Sequence, residues 1–366
     1  MARSHTHEWV LRRRLATQRV AGPPLPTAAD AVRLLTAVQA QDAPLAAWSL
    51  GLRSKASTYA GVLAERATGT VVRTHVLRPT WHLVAAEDLR WLLRLTSARV
   101  ERSMGARHRG LGLEEPVLSR SVDAVAAFVS GVPGGRTRRE VQVELARLGL
   151  PSGNEQVGHV LLVGELRTVL CSAPNAGAEH RYTLVDEVVP RSPLDDLDRD
   201  AALDLLVLRF FGGHGPASTG DLRRWCGVTL AEVRAALDRV GSRLERVELS
   251  GEELWFDPAV PHRTTRERPA HLLPTFDEAV LTYVTTGFPR RDPTAVRPRL
   301  LSESGGGVVL VGGADVGIWK RTATAGEVRV TVRPDGALDA DERTAVAAAA
   351  ERLAAFLERP LDLRWA

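Results

Sequence analysis

One order of elements recurs three times along this chain: helical runs, then two strand-like runs about a turn. A short helical pattern at 59–67 precedes 70–84, where β-branched residues alternate around Pro79 as in two strands with a kink or turn. Downstream, Thr137-Arg138-Arg139-Glu140 is a capping box opening a helix at 141–148, Gly149 stops it, and 155–166 supplies the next. Strand-like runs at 167–172 and 181–185 then flank the loop 173–177. In the third copy a helix at 219–225 leads to a second capping box, Thr229-Leu230-Ala231-Glu232, which opens 233–240. A hairpin of 244–249 and 253–256 closes it about Ser250-Gly251. Helices closed by a β-ribbon make the winged-helix pattern, a helix-turn-helix relative. The copies share architecture without obvious sequence identity.

The expected fold is therefore α+β. Winged-helix units occupy 1–120, 121–194 and 195–268, the last opened by a connector helix at 195–211. A β-rich element with a closing helix fills 269–366: strands at 308–311 and 317–321, then a β-α-β passage through 328–332, 341–357 and 361–365. A basic helix at 7–20 sets Trp9 and Leu15 against Arg12, Arg13, Arg14 and Arg19 before Ala21-Gly22-Pro23-Pro24 breaks it.

At 366 residues the chain suits two or three small domains, and 44% hydrophobic with 25% charged residues describes an ordinary soluble globular protein. No apolar run reaches membrane-spanning length, and the first residues lack an apolar signal core, so a cytoplasmic protein is expected. Cys171 and Cys226 are far apart and are read as small core residues, which fits a reducing compartment. The formal charge is only +4, but all but two of the basic residues are arginine, the lysines being Lys55 and Lys320. Arginine suits bidentate phosphate and base recognition, although a compositional bias in the gene would give the same preference. Because the second helix of such a motif commonly enters the major groove, Arg138 and Arg139 in the second unit and Arg234 in the third are candidate DNA contacts. For any one of them a solvated-face charge is the alternative.

Gln39-Ala40-Gln41-Asp42 stands out. An apolar helical pattern begins after Thr27 or Asp30, either of which is available as a cap, and Pro44 is expected to end it near Ala43. Two amides in so apolar a setting need partners if buried. They either hydrogen-bond the turn or face a ligand. Asp42 suits a turn-forming role better than that of a base. Thr80 and His82 alternate outward from Trp81 and Leu83, so with Arg78 they border the same region or form a plain strand surface.

Other chemistry is scarce. Gly305-Gly306-Gly307 lacks a strand-to-helix context and lysine, and the histidines form no metal-spaced cluster with the cysteines, so neither cofactor nor metal is expected.

The chain resembles the AlkZ-type DNA glycosylases over nearly its full length. The likeness rests on Gln39-Ala40-Gln41-Asp42, Arg78-Pro79-Thr80-Trp81-His82-Leu83-Val84, residues 159–166 leading to Arg181-Tyr182-Thr183-Leu184-Val185, Phe210-Phe211-Gly212-Gly213-His214-Gly215-Pro216-Ala217, Leu272-Leu273-Pro274-Thr275-Phe276-Asp277 and Gly317-Ile318-Trp319-Lys320-Arg321. Pro79 stands where the family pattern expects glycine, and 299–311 is short and glycine-rich against the family's DNA-inserting hairpin. The resemblance implies that Gln39 and Gln41 are the catalytic residues of a glycosylase acting on duplex DNA with bulky N7-alkylated purines, as a monomer. It is similar to the branch that protects makers of DNA-alkylating natural products. A winged-helix transcription regulator or lesion-binding protein without turnover is the rival expectation.

An amide pair can suffice because guanine alkylated at N7 already carries positive charge, which weakens its C1′–N9 bond without protonation. A glutamine carbonyl can accept from water while its NH₂ bonds a phosphate or sugar oxygen. Residues two apart on a regular helix point about 200° away from each other. Both glutamines can therefore share one site only if the helix ends or distorts there.

Overall fold

A computed structural model describes residues 3–4, 6–55, 58–174, 179–260, 269–283, 286–297, 305–324 and 326–366. Side-chain caps set the helix starts. Thr27 Oγ1 accepts from the Asp30 N–H at the head of helix Ala28–Leu35, and Thr58 does the same for Tyr59–Ala67. Both expected capping boxes are formed, Thr137 with Glu140 and Thr229 with Glu232, and further ones pair Ser218 with Asp221 and Asp339 with Glu342.

Each unit holds a very short strand ahead of its last two helices. In the first, strand Ala37–Gln39 pairs with Trp81–Ala85, which pairs with Val71–His75, so the last strand lies in the middle. The second repeats this with Arg136–Thr137, Arg181–Leu184 and Leu170–Ser172. In the third a single bridge from Ala217 to Trp255 stands in for the short strand, beside Glu252–Phe256 and Glu245–Leu249. Helix, strand, two helices and a ribbon with its last strand central is winged-helix connectivity, three times over. The expected boundary after residue 120 falls inside helix Val117–Val129, which opens the second unit.

The C-terminal element is a five-stranded sheet ordered Ala270–Pro274, Gly306–Val311, Ala314–Ala323, Val328–Pro334 and Leu361–Trp365. The last two strands run parallel through the crossover helix Ala340–Phe356. The stretch 299–311 lies partly outside the described residues; from 306 onward it is a sheet strand. The 22-residue helix Leu89–Gly110 and the short first strands were not anticipated, and the connector helix lies at Arg199–His214. Among the described residues no helix is long and apolar enough to cross a membrane.

Two apolar cores cut across these units. One packs the second and third units around the long helix through Trp91, Leu92, Val160, Leu206, Phe210 and Trp225. The other joins the first unit to the C-terminal sheet through Trp48, Leu272, Val330 and Phe356. Trp48 Nε1 donates to the Leu272 carbonyl at 2.8 Å and its ring lies 5.2 Å from Phe356. The expected basic N-terminal helix, His7–Thr17, turns charge inward: Arg13 and Arg14 are 3% and 1% exposed. Arg14 Nε donates to the Pro216 carbonyl at 2.7 Å.

Candidate active site

Gln39 and Gln41 do not sit on a helix. Helix Ala28–Leu35 ends at Thr36, whose φ of 65° turns the chain into strand Ala37–Gln39. The ladder continues one residue further, the Ala40 N–H donating to the Trp81 carbonyl at 2.6 Å. Asp42 then caps a new helix, Ala43–Gly51, with Oδ1 accepting from the Leu45 N–H at 3.0 Å and Pro44 in the first turn. Proline starts this helix because a first-turn residue needs no N–H partner. The correction improves the geometry, since the two glutamines are no longer held about 200° apart around one helix. Gln39 Oε1 accepts from Arg78 Nη2 at 2.7 Å, and Gln41 Oε1 accepts from the Trp81 N–H at 3.4 Å. Both amides thus look onto the 78–81 segment.

Gln39 is 8% exposed and held from three sides. Its strand pairs with His82, its backbone N–H donates to Glu278 Oε1 at 2.9 Å, and its side chain meets Arg78. A guanidinium only donates, so the Gln39 atom facing Arg78 is the oxygen and the NH₂ is the end left to present. A carbonyl polarised by a cation makes its own N–H groups stronger donors. Gln41 is exposed, and 3.4 Å is a long hydrogen bond, so its carbonyl is readily given up to another donor.

Arg78 connects the first unit to the third, donating also to the Trp225 carbonyl. His82 Nδ1 lies 2.9 Å from the Thr80 carbonyl and Nε2 lies 3.3 Å from Arg78 Nη2. Burial, reinforced by the Arg78 charge, pushes the His82 imidazole down to about 3. It is therefore neutral, with Nδ1–H donating to Thr80 and Nε2 accepting from Arg78. This corrects the expectation that His82 points outward to border the site: the side chain is fully buried, against Arg78. Thr80 is half-buried, and its hydroxyl has no protein partner.

Two residues sequence reasoning missed complete the seat. Glu278 is fully buried; Oε1 takes the Gln39 N–H, and Oε2 takes the Trp225 indole N–H at 2.8 Å and stands 3.7 Å from His214 Nε2. Burial alone would raise its pKa, but His214, Arg78 and the Gln39 N–H outweigh that and hold it at about 2. Arg73 donates to the Ala40 carbonyl at 3.1 and 2.9 Å from Nε and Nη2, and lies 4.3 Å over the Trp81 ring. Its alternation on the Val71–His75 strand was the only signal available for it.

The remaining expected DNA contacts stand apart from this network. Arg138 and Arg139 are exposed at the head of helix Arg138–Arg147, Arg138 donating to Asn154 Oδ1 at 3.0 Å. Arg234 is exposed on helix Leu230–Val240, the last helix of the third unit. Next to Trp225, Arg223 and Arg224 line a cleft of about 920 Å³ with Arg99 and Thr229. Arg99 and Arg224 are anchored there on the carbonyls of Gly227 and Leu281.

The family profile described as "DNA glycosylase AlkZ-like" matches residues 32–356. The chain belongs to the AlkZ-like DNA glycosylase family. An "Interstrand DNA cross-link repair glycosylase" from Streptomyces sahachiroi is 26% identical over 329 residues, spanning 85% of this chain and 86% of that one. The solved structure of the Streptomyces sahachiroi DNA glycosylase AlkZ superposes with a TM-score of 0.75 at 23% identity, over 98% of this chain and 100% of that one, which shows the shared fold. As an AlkZ-like DNA glycosylase the chain is an enzyme with DNA as its partner, and the matched span contains both glutamines.

Proposed function

We propose that this AlkZ-like protein is a monofunctional glycosylase that hydrolyses the C1′–N9 bond of bulky N7-alkylated purines in duplex DNA. It unhooks interstrand cross-links in this way, as a cytoplasmic monomer serving repair or self-resistance to a DNA-alkylating natural product. What supports this reading is that both amides bond the 78–81 segment, Gln39 pinned through its oxygen and Gln41 loosely held. Gln39 offers its NH₂ to a sugar or phosphate oxygen of the lesion nucleotide. Gln41 releases the Trp81 N–H and accepts from the attacking water. The departing base brings its own positive charge and needs no proton, so placement of water and nucleotide supplies most of the rate. The relative named as a cross-link repair glycosylase supports the choice of substrate. The seat described around Gln39 contains no lysine, in keeping with hydrolysis without a Schiff base.

The test is strand breakage by hot alkali after incubation of nitrogen-mustard-treated duplex with excess protein, which reports abasic sites. Breaks well above the spontaneous background are expected with the native chain, falling to background in the Gln39→Ala/Gln41→Ala double variant while duplex binding survives. Retention of adducted DNA by the native protein without abasic product would instead establish a lesion-binding protein.

A further inference from the structure

The buried carboxylate of Glu278 grips the same two residues as Arg78, through complementary atoms. Arg78 takes the Gln39 side-chain oxygen and the Trp225 main-chain oxygen; Glu278 takes the Gln39 main-chain N–H and the Trp225 indole N–H. The two ions thus bracket one glutamine and one tryptophan from units far apart in sequence. Asp277, next in the chain, is committed elsewhere: its oxygens accept from Arg53 at 2.6 and 2.8 Å and from Ser49 at 2.7 Å. Among the described contacts of Gln39, the carboxylate that shares it with Arg78 is Glu278.

We propose that Glu278 is a positioning residue for glycosidic cleavage: it seats the main chain of Gln39 and balances the charge of Arg78, so that a cation orients the amide without leaving net positive charge beside the sugar. This rests on the catalytic reading of Gln39. As the glycosidic bond breaks, positive charge moves from the base onto the sugar. An uncompensated guanidinium fixed to Gln39 would oppose that movement, most strongly in a water-poor site. A surface carboxylate would balance the charge poorly, since solvent screens it. Glu278 supplies negative charge from within, and its complete burial keeps it from reaching the sugar as a nucleophile.

The test is single-turnover release of N7-alkylguanine from nitrogen-mustard-treated duplex by the full chain and its Glu278→Gln, Gln39→Ala and doubly substituted forms. Glu278→Gln removes the charge and turns one of the two accepting oxygens into an NH₂, so either the Gln39 N–H or the Trp225 indole N–H loses its acceptor. The substitution should slow release roughly 10- to 100-fold, the order expected when a reacting group loses its placement, while the protein stays folded at the assay temperature, with a lowered melting midpoint, and affinity for undamaged duplex stays close to native. In the Gln39→Ala background the same change should cost little more. Native-rate release by Glu278→Gln, or an equal fold-loss with and without Gln39, overturns the proposal. Native activity in Gln39→Ala defeats the glutamine reading itself. If Glu278→Gln fails to fold, Glu278→Asp in the native and Gln39→Ala backgrounds decides: a loss seen only when Gln39 is present supports the proposal, and an equal fold-loss with and without Gln39 overturns it.

Discussion

An amide is symmetrical in outline and opposite in chemistry at its two ends, so what Gln39 can do depends on which end is held. Arg78 holds the oxygen, and neutral His82 below holds Arg78. Arg78→Lys retains the charge but replaces a rigid fork, whose two nitrogens each take one acceptor, with one compact ammonium that does not fix the Gln39 oxygen and the Trp225 carbonyl in that geometry. Release of alkylated base should fall about tenfold or more in that variant, with duplex affinity nearly unchanged. Single-turnover rates beside binding titrations check this; an unchanged rate would mean the orientation of Gln39 is immaterial.

Among the elements, docking of helix Arg199–His214 onto helix Ala28–Leu35 positions the glutamine strand, because the second helix leads directly into it. Gly213 permits the approach: a Cβ there would lie 2.1 Å from the Leu34 carbonyl oxygen. Gly213→Ala should destabilise the protein by roughly 1–3 kcal/mol in urea melts, the usual cost of overpacking. Gly110→Ala, where a Cβ meets nothing within 4 Å, should be neutral or mildly stabilising. The capping boxes and ribbons made this level legible in sequence, since cap residues and β-alternation are local signals. Strands of one to three residues are not, because so short a run shows no period. Pro44 was misread for a related reason: proline disfavours helix before it and favours the first turn of one, and Asp42 as a cap decides for the second. The partners of Gln39 could not be found locally at all, for Glu278 lies 239 residues away.

In the molecule as a whole, buried imidazoles tie stability to pH. Burial, aided by nearby arginines, lowers His82 to about 3 and His271 to about 4. In the unfolded chain both would take up protons near pH 6.5, so between there and about pH 4 the unfolded state binds more protons than the folded one. Stability attributable to each should therefore fall as pH drops, by up to about 1.4 kcal/mol per pH unit. Thermal melts from pH 7.5 to 5 should show a declining midpoint whose slope is reduced in a His82→Gln/His271→Gln form, the remainder coming from His180, which burial also holds well below its ordinary value. A midpoint independent of pH in the native protein would contradict this.

The bracket around Gln39 also orders events during synthesis. A ribosome that has translated residues 1–277 has produced both glutamines, Arg78 and Trp225, but not the carboxylate on which the Gln39 N–H and the Trp225 indole close. The C-terminal strands and helix that complete the core of the first unit, with Val330 and Phe356, are still to come as well. The seat of Gln39 is thereby completed only in the last quarter of translation.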